Sequence, residues 1–538
     1  MGKGGIWKYI TLGILSGLFS FLFINLLTHV IKLITSGEYK IVSKEYLILF
    51  SFIILFIVWI RRTLATAIIS LTQTLFWSLR KQILNAVLKA NYNQFIAKKS
   101  EIYSSIVSDV NTLTNASTSI IDFSTSTIVA IACLIYLLTI SWVLFLITLS
   151  VAILGALIYH IRSKGDQKHF KEVRELENKF IDNLNKILNG FKEIYMEPKK
   201  GSSIMDNQIE IISSSAYQKN VTAFTGFLNN QIIGQILFYI LISSILLFFS
   251  VLLKIETSKI VSYIFILLYL LSSIETIMVI LPMLMRAKIA AKHLTDLKLE
   301  LENSTNNNII TNTLNPTEEF KQITIKNLEF GYLEGVQTFS IGPIDFNVNK
   351  SEVIFIYGGN GSGKTTFIYS LLGLHKITQG QISLNDTIID DANYQNYRSF
   401  FSVIFSDFYL FNELLIDEVD INKYNYYLEL FEIENKVKLN DKQFSTIDLS
   451  TGQRKRLALI SVLLEKKPII VLDEWAADQD PYFRKKFYTE IIPILKQEGF
   501  TIIAITHDDK YYICADKLYK MEFGKLIPET ISQKIIAD

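Results

Sequence analysis

Residues Gly358 to Thr365 read Gly-Gly-Asn-Gly-Ser-Gly-Lys-Thr and fit the phosphate-loop pattern G-x-x-x-x-G-K-[ST] without a mismatch. An apolar, β-branched run from Val353 to Tyr357 precedes it, and Thr366 to Leu374 has the composition of a helix. The spacing predicts a strand, a loop and a helix in that order. In such a loop Gly358, Asn360, Gly361, Ser362 and Gly363 turn backbone N–H groups toward phosphates, and Thr365 and Thr366 open the helix whose N-terminus favours negative charge. Lys364 is placed to reach β- and γ-phosphate oxygens, and the Thr365 hydroxyl to meet Mg²⁺. An ordinary glycine turn could carry the same letters, so the rest of the chain decides.

The chain has 538 residues, of which 50% are hydrophobic and 19% charged, with a mean hydropathy of +0.31. That is too apolar for a soluble enzyme of this length, and much of it must sit in lipid. A net charge of +2 advertises no basic face for nucleic acid. Cys133 and Cys514 lie in unrelated segments, with neither metal-ligand spacing nor the makings of a disulfide framework.

Six stretches have the length and apolarity of a membrane helix: Lys8 to Val30, Tyr46 to Leu71, Ser126 to Ile140, Trp142 to His160, Gln231 to Leu253 and Ile260 to Leu284. The first is long enough to span and is followed by no small-residue cleavage site, so it reads as a helix and not a signal peptide. The connections from Arg61 to Asp122 and from Arg162 to Asn220 are rich in lysine and arginine, while the turn at Ser141 has none. Both termini are therefore expected in the cytoplasm, with the two long connections prolonging membrane helices into it.

Within the spans, Gly13 and Gly17 form a G-x-x-x-G pair that suits either close packing or a plain lipid-facing helix. Gln231, Gln235 and Tyr239 recur every fourth residue on one helix face, and Glu275 interrupts the sixth span. Such groups either touch cargo or pair between helices. Arg61 and Arg62 read as markers of the inner interface. The expected organisation is a six-helix α-helical transmembrane domain over residues 1–290, a linker over 291–319, and an α/β P-loop ATPase domain over 320–538.

Downstream of the loop, Ile469 to Glu474 is an apolar strand ending in two carboxylates, where Asp473 suits a Mg²⁺ ligand and Glu474 a water-activating general base. Between them lies Leu449-Ser450-Thr451-Gly452-Gln453, whose serine and glycine at a helix start suit a γ-phosphate. His507 follows the apolar run Thr501 to Ile505, where a strand end could aim an imidazole at the same phosphate.

With these residues in this order, the chain resembles the nucleotide-binding domain of ABC transporters: Walker A at Gly358 to Thr365, the signature at Leu449 to Gln453, Walker B at Ile469 to Asp473 and the switch histidine at His507. The six preceding spans look like the membrane domain of the exporter type. The resemblance implies that Tyr332 stacks on adenine, an alternative being a strand-edge aromatic, and that ATP and Mg²⁺ are the cofactors. Leu449 to Leu459, Asp473 to Pro481 and Phe405 to Phe411 look more finely like the cyclic-peptide exporter branch of bacterial inner membranes, with its pyoverdine- and syringomycin-type members.

Three departures from the family pattern stand out. Ser406, with Asp407 beside it, occupies the place of the Mg²⁺-contacting glutamine, and Ala477 replaces the serine before the Asp478 loop. Phe408 to Asp448 is short for the helical subdomain. No peptidase domain precedes the first span, so leader cleavage is not expected. The resemblance further implies a homodimer in which Ser450 and Gly452 complete a second copy's site, with force passing through tips near Ser100 to Ser105 and Ile181 to Gly190. The expected function is export of a cyclic peptide or siderophore precursor; a lipid flippase and an ATP-gated sensor or channel are the alternatives.

Overall fold

The computed structural model describes residues 3–35, 44–303, 319–331, 339–391 and 393–531, and the chain forms two compact units, the first ending at Asn303. The first unit is helical. It comprises α1 (Lys3–Thr35), α2 (Lys44–Lys89), α3 (Tyr92–Ser104), α4 (Val110–Ile140), α5 (Trp142–Asn189), α6 (Phe191–Met196), α7 (Pro198–Ile204), α8 (Glu210–Ser244), α9 (Ser250–Leu252) and α10 (Thr257–Asn303). Single π-turns at Ser105–Asp109, Met205–Ile209 and Ile245–Phe249 join α3 to α4, α7 to α8 and α8 to α9. Six runs among the described residues are long and apolar enough to cross a membrane, and each overlaps one of the six stretches expected.

Several hydroxyl side chains within the spans bond to their own helix, as a medium without water favours. Ser20, Thr28 and Thr148 each donate to a carbonyl one turn back, and Thr148 also lies 2.8 Å from the Tyr263 hydroxyl. Of the two glycines in α1, Gly17 marks a close approach, since a Cβ there would lie 2.5 Å from Ile128 Cγ2 of α4, whereas Gly13 has no neighbour within 4 Å.

Beyond the apolar stretches, the helices are tied by a buried charged cluster. Asp109 is 1% exposed; Arg174 Nε and Nη2 donate to its two oxygens at 2.7 and 2.8 Å, and His293 Nδ1 lies 2.7 Å away. Arg174 reaches on to Asn178 and Ser104, and His293 Nε2 lies 3.1 Å from Glu101. One buried cluster thus joins the α3–α4 junction, α5 and α10.

The segment Ser100 to Ser105 runs through the end of α3 into the π-turn after it, and the nearest helix break falls at Ala90–Asn91. Residues 100–105 carry no glycine or proline, while Asn91 offers the backbone a competing side-chain partner. The second break comes at Gly190 and again at Glu197, ahead of Pro198. The boundary expected at residue 290 falls within α10, which runs on to Asn303, and residues 304–318 of the expected linker lie outside the described residues.

The second unit is α/β. Its strands are β1 (Gln322–Gly331), β2 (Ser340–Asn349), β3 (Val353–Tyr357), β4 (Gln379–Leu384), β5 (Thr387–Ile388), β6 (Phe401–Ile404), β7 (Leu439–Asn440), β8 (Gln443–Phe444), β9 (Ile469–Asp473), β10 (Thr501–Ile505), β11 (Lys517–Glu522) and β12 (Lys525–Glu529). One sheet has the order β2-β1-β4-β5, and the other β12-β11-β3-β10-β9-β6. In the second, β3, β10, β9 and β6 run parallel, and β9 and β10 are buried at every residue. That explains their unbroken apolar sequences, because a parallel sheet is covered on both faces.

The register brings the chemistry together. Ile505 pairs with both Ile356 and Asp473, so the segments leaving β3, β9 and β10 emerge side by side at their carboxyl ends. That edge is where open α/β sheets bind ligands. Phe408 to Asp448 holds one ten-residue helix, Ile421–Leu430, and the β7–β8 hairpin.

Candidate active site

The loop after β3 is fixed by glycines that nothing else could replace. A Cβ at Gly358 (φ 155°) would lie 2.2 Å from the Met521 carbonyl, and one at Gly363 (φ 109°) 2.8 Å from Ile341 Cγ2. The helix α11 (Lys364–Leu371) starts at Lys364 and ends before Gly373, so it begins two residues earlier and ends three earlier than its apolar run suggested. Asn360, Gly361 and Thr365 are exposed, Ser362 and Thr366 half-buried.

Lys364 is buried, and its ammonium folds back onto the carbonyls of Gly358 and Gly359 at 2.9 and 3.1 Å. Burial holds its pKa below the usual lysine value, against the attraction of Glu474 and Asp473. Among the described residues its hydrogen bonds go only to these neutral carbonyl oxygens. An anion arriving at the loop would offer it a stronger partner.

Asp473, 1% exposed, ends β9, and its Oδ2 has no hydrogen-bond partner. Burial, then the charge of Glu474, push its pKa up, opposed by hydrogen bonds from the side chain and backbone of Ser406 and by Lys364. Ser406, and not Asp407, is therefore the residue brought against Asp473. The Ser362 hydroxyl is likewise buried without a partner. Both orphaned oxygens border one loop, and a hard cation beside an anion is what such a set accepts.

Glu474 follows at φ 51°, a left-handed conformation uncommon for a residue with a side chain. Its backbone N–H donates to the Ile505 carbonyl at 3.2 Å, and its Oε1 lies 3.3 Å from His507 Nε2. The two catalytic candidates expected from the sequence are thus adjacent.

The signature segment caps its own helix, Thr451–Leu464. Gln453 donates its backbone N–H to the Ser450 hydroxyl, and its side-chain oxygen accepts from the Ser450 backbone, a reciprocal capping box. Gln453 is thereby engaged in shaping Ser450. Among the described residues, no hydrogen bond or ion pair joins Ser450, Gly452 or Gln453 to the loop at Gly358–Thr366. Tyr332, the expected adenine platform, lies outside the described residues.

Sequence reasoning passed over two residues that tie signature to carboxylates. Lys455, 3% exposed, donates to the Glu474 carbonyl at 2.9 Å and pairs with Asp478 at 2.7 Å. Gln479 donates to the Gly452 carbonyl at 3.1 Å and accepts from Arg456 at 2.9 Å. The signal available was Lys455 standing in register with Leu459 and Val462 on a face that must be buried.

Comparison with known proteins agrees with this geometry. Residues 341–477 match the family model described as ABC transporter. The chain is 32% identical over 408 residues to the ATP-binding protein SyrD of Pseudomonas syringae pv. syringae, covering 73% of this chain and 72% of that protein. It is 28% identical over 223 residues to the energy-coupling factor transporter ATP-binding protein EcfA1 of Staphylococcus aureus (strain USA300), covering 40% of this chain and 82% of that one. The solved structure of a bacterial Atm1-family ABC exporter with ATP bound superimposes with a TM-score of 0.75 at 15% identity, over 97% of this chain and 93% of that chain. The chain is a member of the ABC transporter family, a multi-pass membrane exporter with its own ATPase domain.

Proposed function

We propose that two copies of this chain form an exporter that carries a peptide-derived cargo, a cyclic peptide or siderophore precursor, out of the cytoplasm across a bacterial inner membrane. The observation that carries this reading is the similarity to SyrD. Its 73% share of the chain exceeds what residues 320–538 could supply, so it extends into the membrane helices. The motif resemblance at Leu449–Leu459 points to the same branch.

In the proposed cycle ATP draws Lys364 off its own carbonyls, and the loop N–H groups of Gly358, Asn360, Gly361, Ser362 and Gly363 receive the phosphates. Thr365, Asp473 and Ser406 would hold Mg²⁺, which neutralises charge on the transferring phosphoryl group. Glu474 orients the attacking water, and His507 positions Glu474. Ser450 and Gly452 of a second copy close the site, in keeping with their separation from the loop within one chain, and a twofold pairing makes both sites alike.

The test is ATP hydrolysis by the purified protein in lipid vesicles, wild type beside Glu474→Gln, with cyclic peptides, siderophore precursors and lipids added separately. Stimulation by a peptide-like compound that disappears in the variant is expected. Stimulation by lipid alone would replace the reading with a flippase, and hydrolysis that is absent or independent of Glu474 would end it.

A further inference from the structure

The six apolar stretches contain a single acidic residue, Glu275. Its Oε1 accepts from Gln235 Nε2 at 2.8 Å, a bond that joins α10 to α8. Among the described residues Glu275 enters no ion pair. A neutral amide fixes a carboxylate in place but does not balance its charge, and in a membrane domain that imbalance is costly unless water or a cation reaches it.

The position is held firmly. A Cβ on Gly234 would lie 3.2 Å from Met278 Cε, so the two helices approach closely beside the pair. Glu275 and Gln235 are nevertheless only half-buried. Gln231 lies one turn before Gln235 and Tyr239 one turn after, on the same face of α8, and Tyr239 is 55% exposed. Ser272, on the Glu275 face of α10, is exposed as well. Lipid would not accept this polar stripe, so the face it lines opens to water or to cargo.

Resting on the exporter reading above, we propose that Glu275 is the recognition residue for a cationic group of the cargo, an alkylammonium or guanidinium, with Gln235 positioning the carboxylate. A cation supplies the charge that Gln235 cannot, and the amide of Gln231, one turn away on the same face, can take up further donors and acceptors of a peptide backbone.

The experiment uses the full-length protein in phosphatidylethanolamine–phosphatidylglycerol vesicles, with a head-to-tail cyclic octapeptide bearing one ornithine and its Nδ-acetyl counterpart as probes. The ornithine peptide should half-stimulate ATP hydrolysis at a concentration about tenfold lower than the acetylated one. Glu275→Gln, which keeps size and hydrogen bonding, should abolish the preference. Glu275→Asp should retain it, and Gln235→Glu should enlarge it. Equal response of the wild type to both peptides, or a preference that survives in Glu275→Gln or stays unchanged in Gln235→Glu, overturns the assignment. If neither peptide stimulates the wild type, the peptide-exporter reading falls first and this inference with it.

Discussion

His507 Nε2 lies 3.3 Å from Glu474 Oε1, bridging the segments that leave β10 and β9, and Glu474 itself is held at φ 51°. Left-handed backbone at a residue with a side chain costs of order 1–3 kcal/mol and persists only where the surroundings over-determine it. The surroundings here are the Ile505 carbonyl on one side and the Lys455 ammonium on the other. The strain aims a carboxylate, and the imidazole steadies it.

His507→Ala should therefore lower the rate of hydrolysis about 100-fold while changing ATP affinity by less than about threefold, since the imidazole acts through Glu474 and not on bound nucleotide. Steady-state hydrolysis beside equilibrium binding of a fluorescent ATP analogue separates the two. A matched loss in affinity would place His507 on the nucleotide instead.

Asp473 should be a stability liability in the nucleotide-free protein. Its pKa is raised in the fold by burial and by Glu474, so ionising it costs more in the folded than in the unfolded chain. The penalty is absent below the unfolded aspartate range near pH 3.9, grows as pH rises toward the raised value, and is complete above it. Asp473→Asn should raise the melting temperature at pH 7 by about 2–4 °C, an advantage that shrinks as the pH is lowered toward 4, while abolishing Mg²⁺-dependent hydrolysis. Thermal unfolding of the full-length protein across that pH range reads it out.

If the site is completed by a second copy, two dead chains can restore each other. A Lys364→Ala chain keeps an intact Ser450 and Gly452, and a Ser450→Arg chain keeps an intact Lys364 and Glu474. Random pairing makes half the dimers mixed, each with one sound site, so co-expressed chains should recover about a quarter of wild-type hydrolysis where each alone has almost none. Sites completed within one chain would give no recovery.

Much of this was legible because the loop, the paired carboxylates and the strand before His507 are local in sequence, and apolar runs of spanning length announce themselves by composition. Ser406 also announced itself as a departure, although only its hydrogen bonds to Asp473 in the folded chain decide between it and Asp407. Lys455 and Gln479 were less legible, since their partners lie 19 and 27 residues away and are met only after the helix Thr451–Leu464 packs. The break at Ala90–Asn91 was not legible because charge and helix propensity run on through it, with only weak asparagine signals to mark it.

Arg174 and Asp109 provide a last test of what holds the helical unit together. Asp109 is fully buried, so Arg174→Leu leaves a carboxylate short of the two hydrogen bonds that Nε and Nη2 supply. Breaking such a pair from one side costs about 3–5 kcal/mol, whereas replacing both members with apolar residues is often close to neutral. The single variant should lose its folded, monodisperse form in detergent at a markedly lower temperature than the wild type. Arg174→Leu with Asp109→Leu should recover much of that loss, though not all, because His293 also gives up its contact with Asp109 and keeps those with Glu101 and Ser105. Strictly additive losses would mean that the two side chains are neighbours without being partners, and would remove the cluster as a brace between α5 and α10.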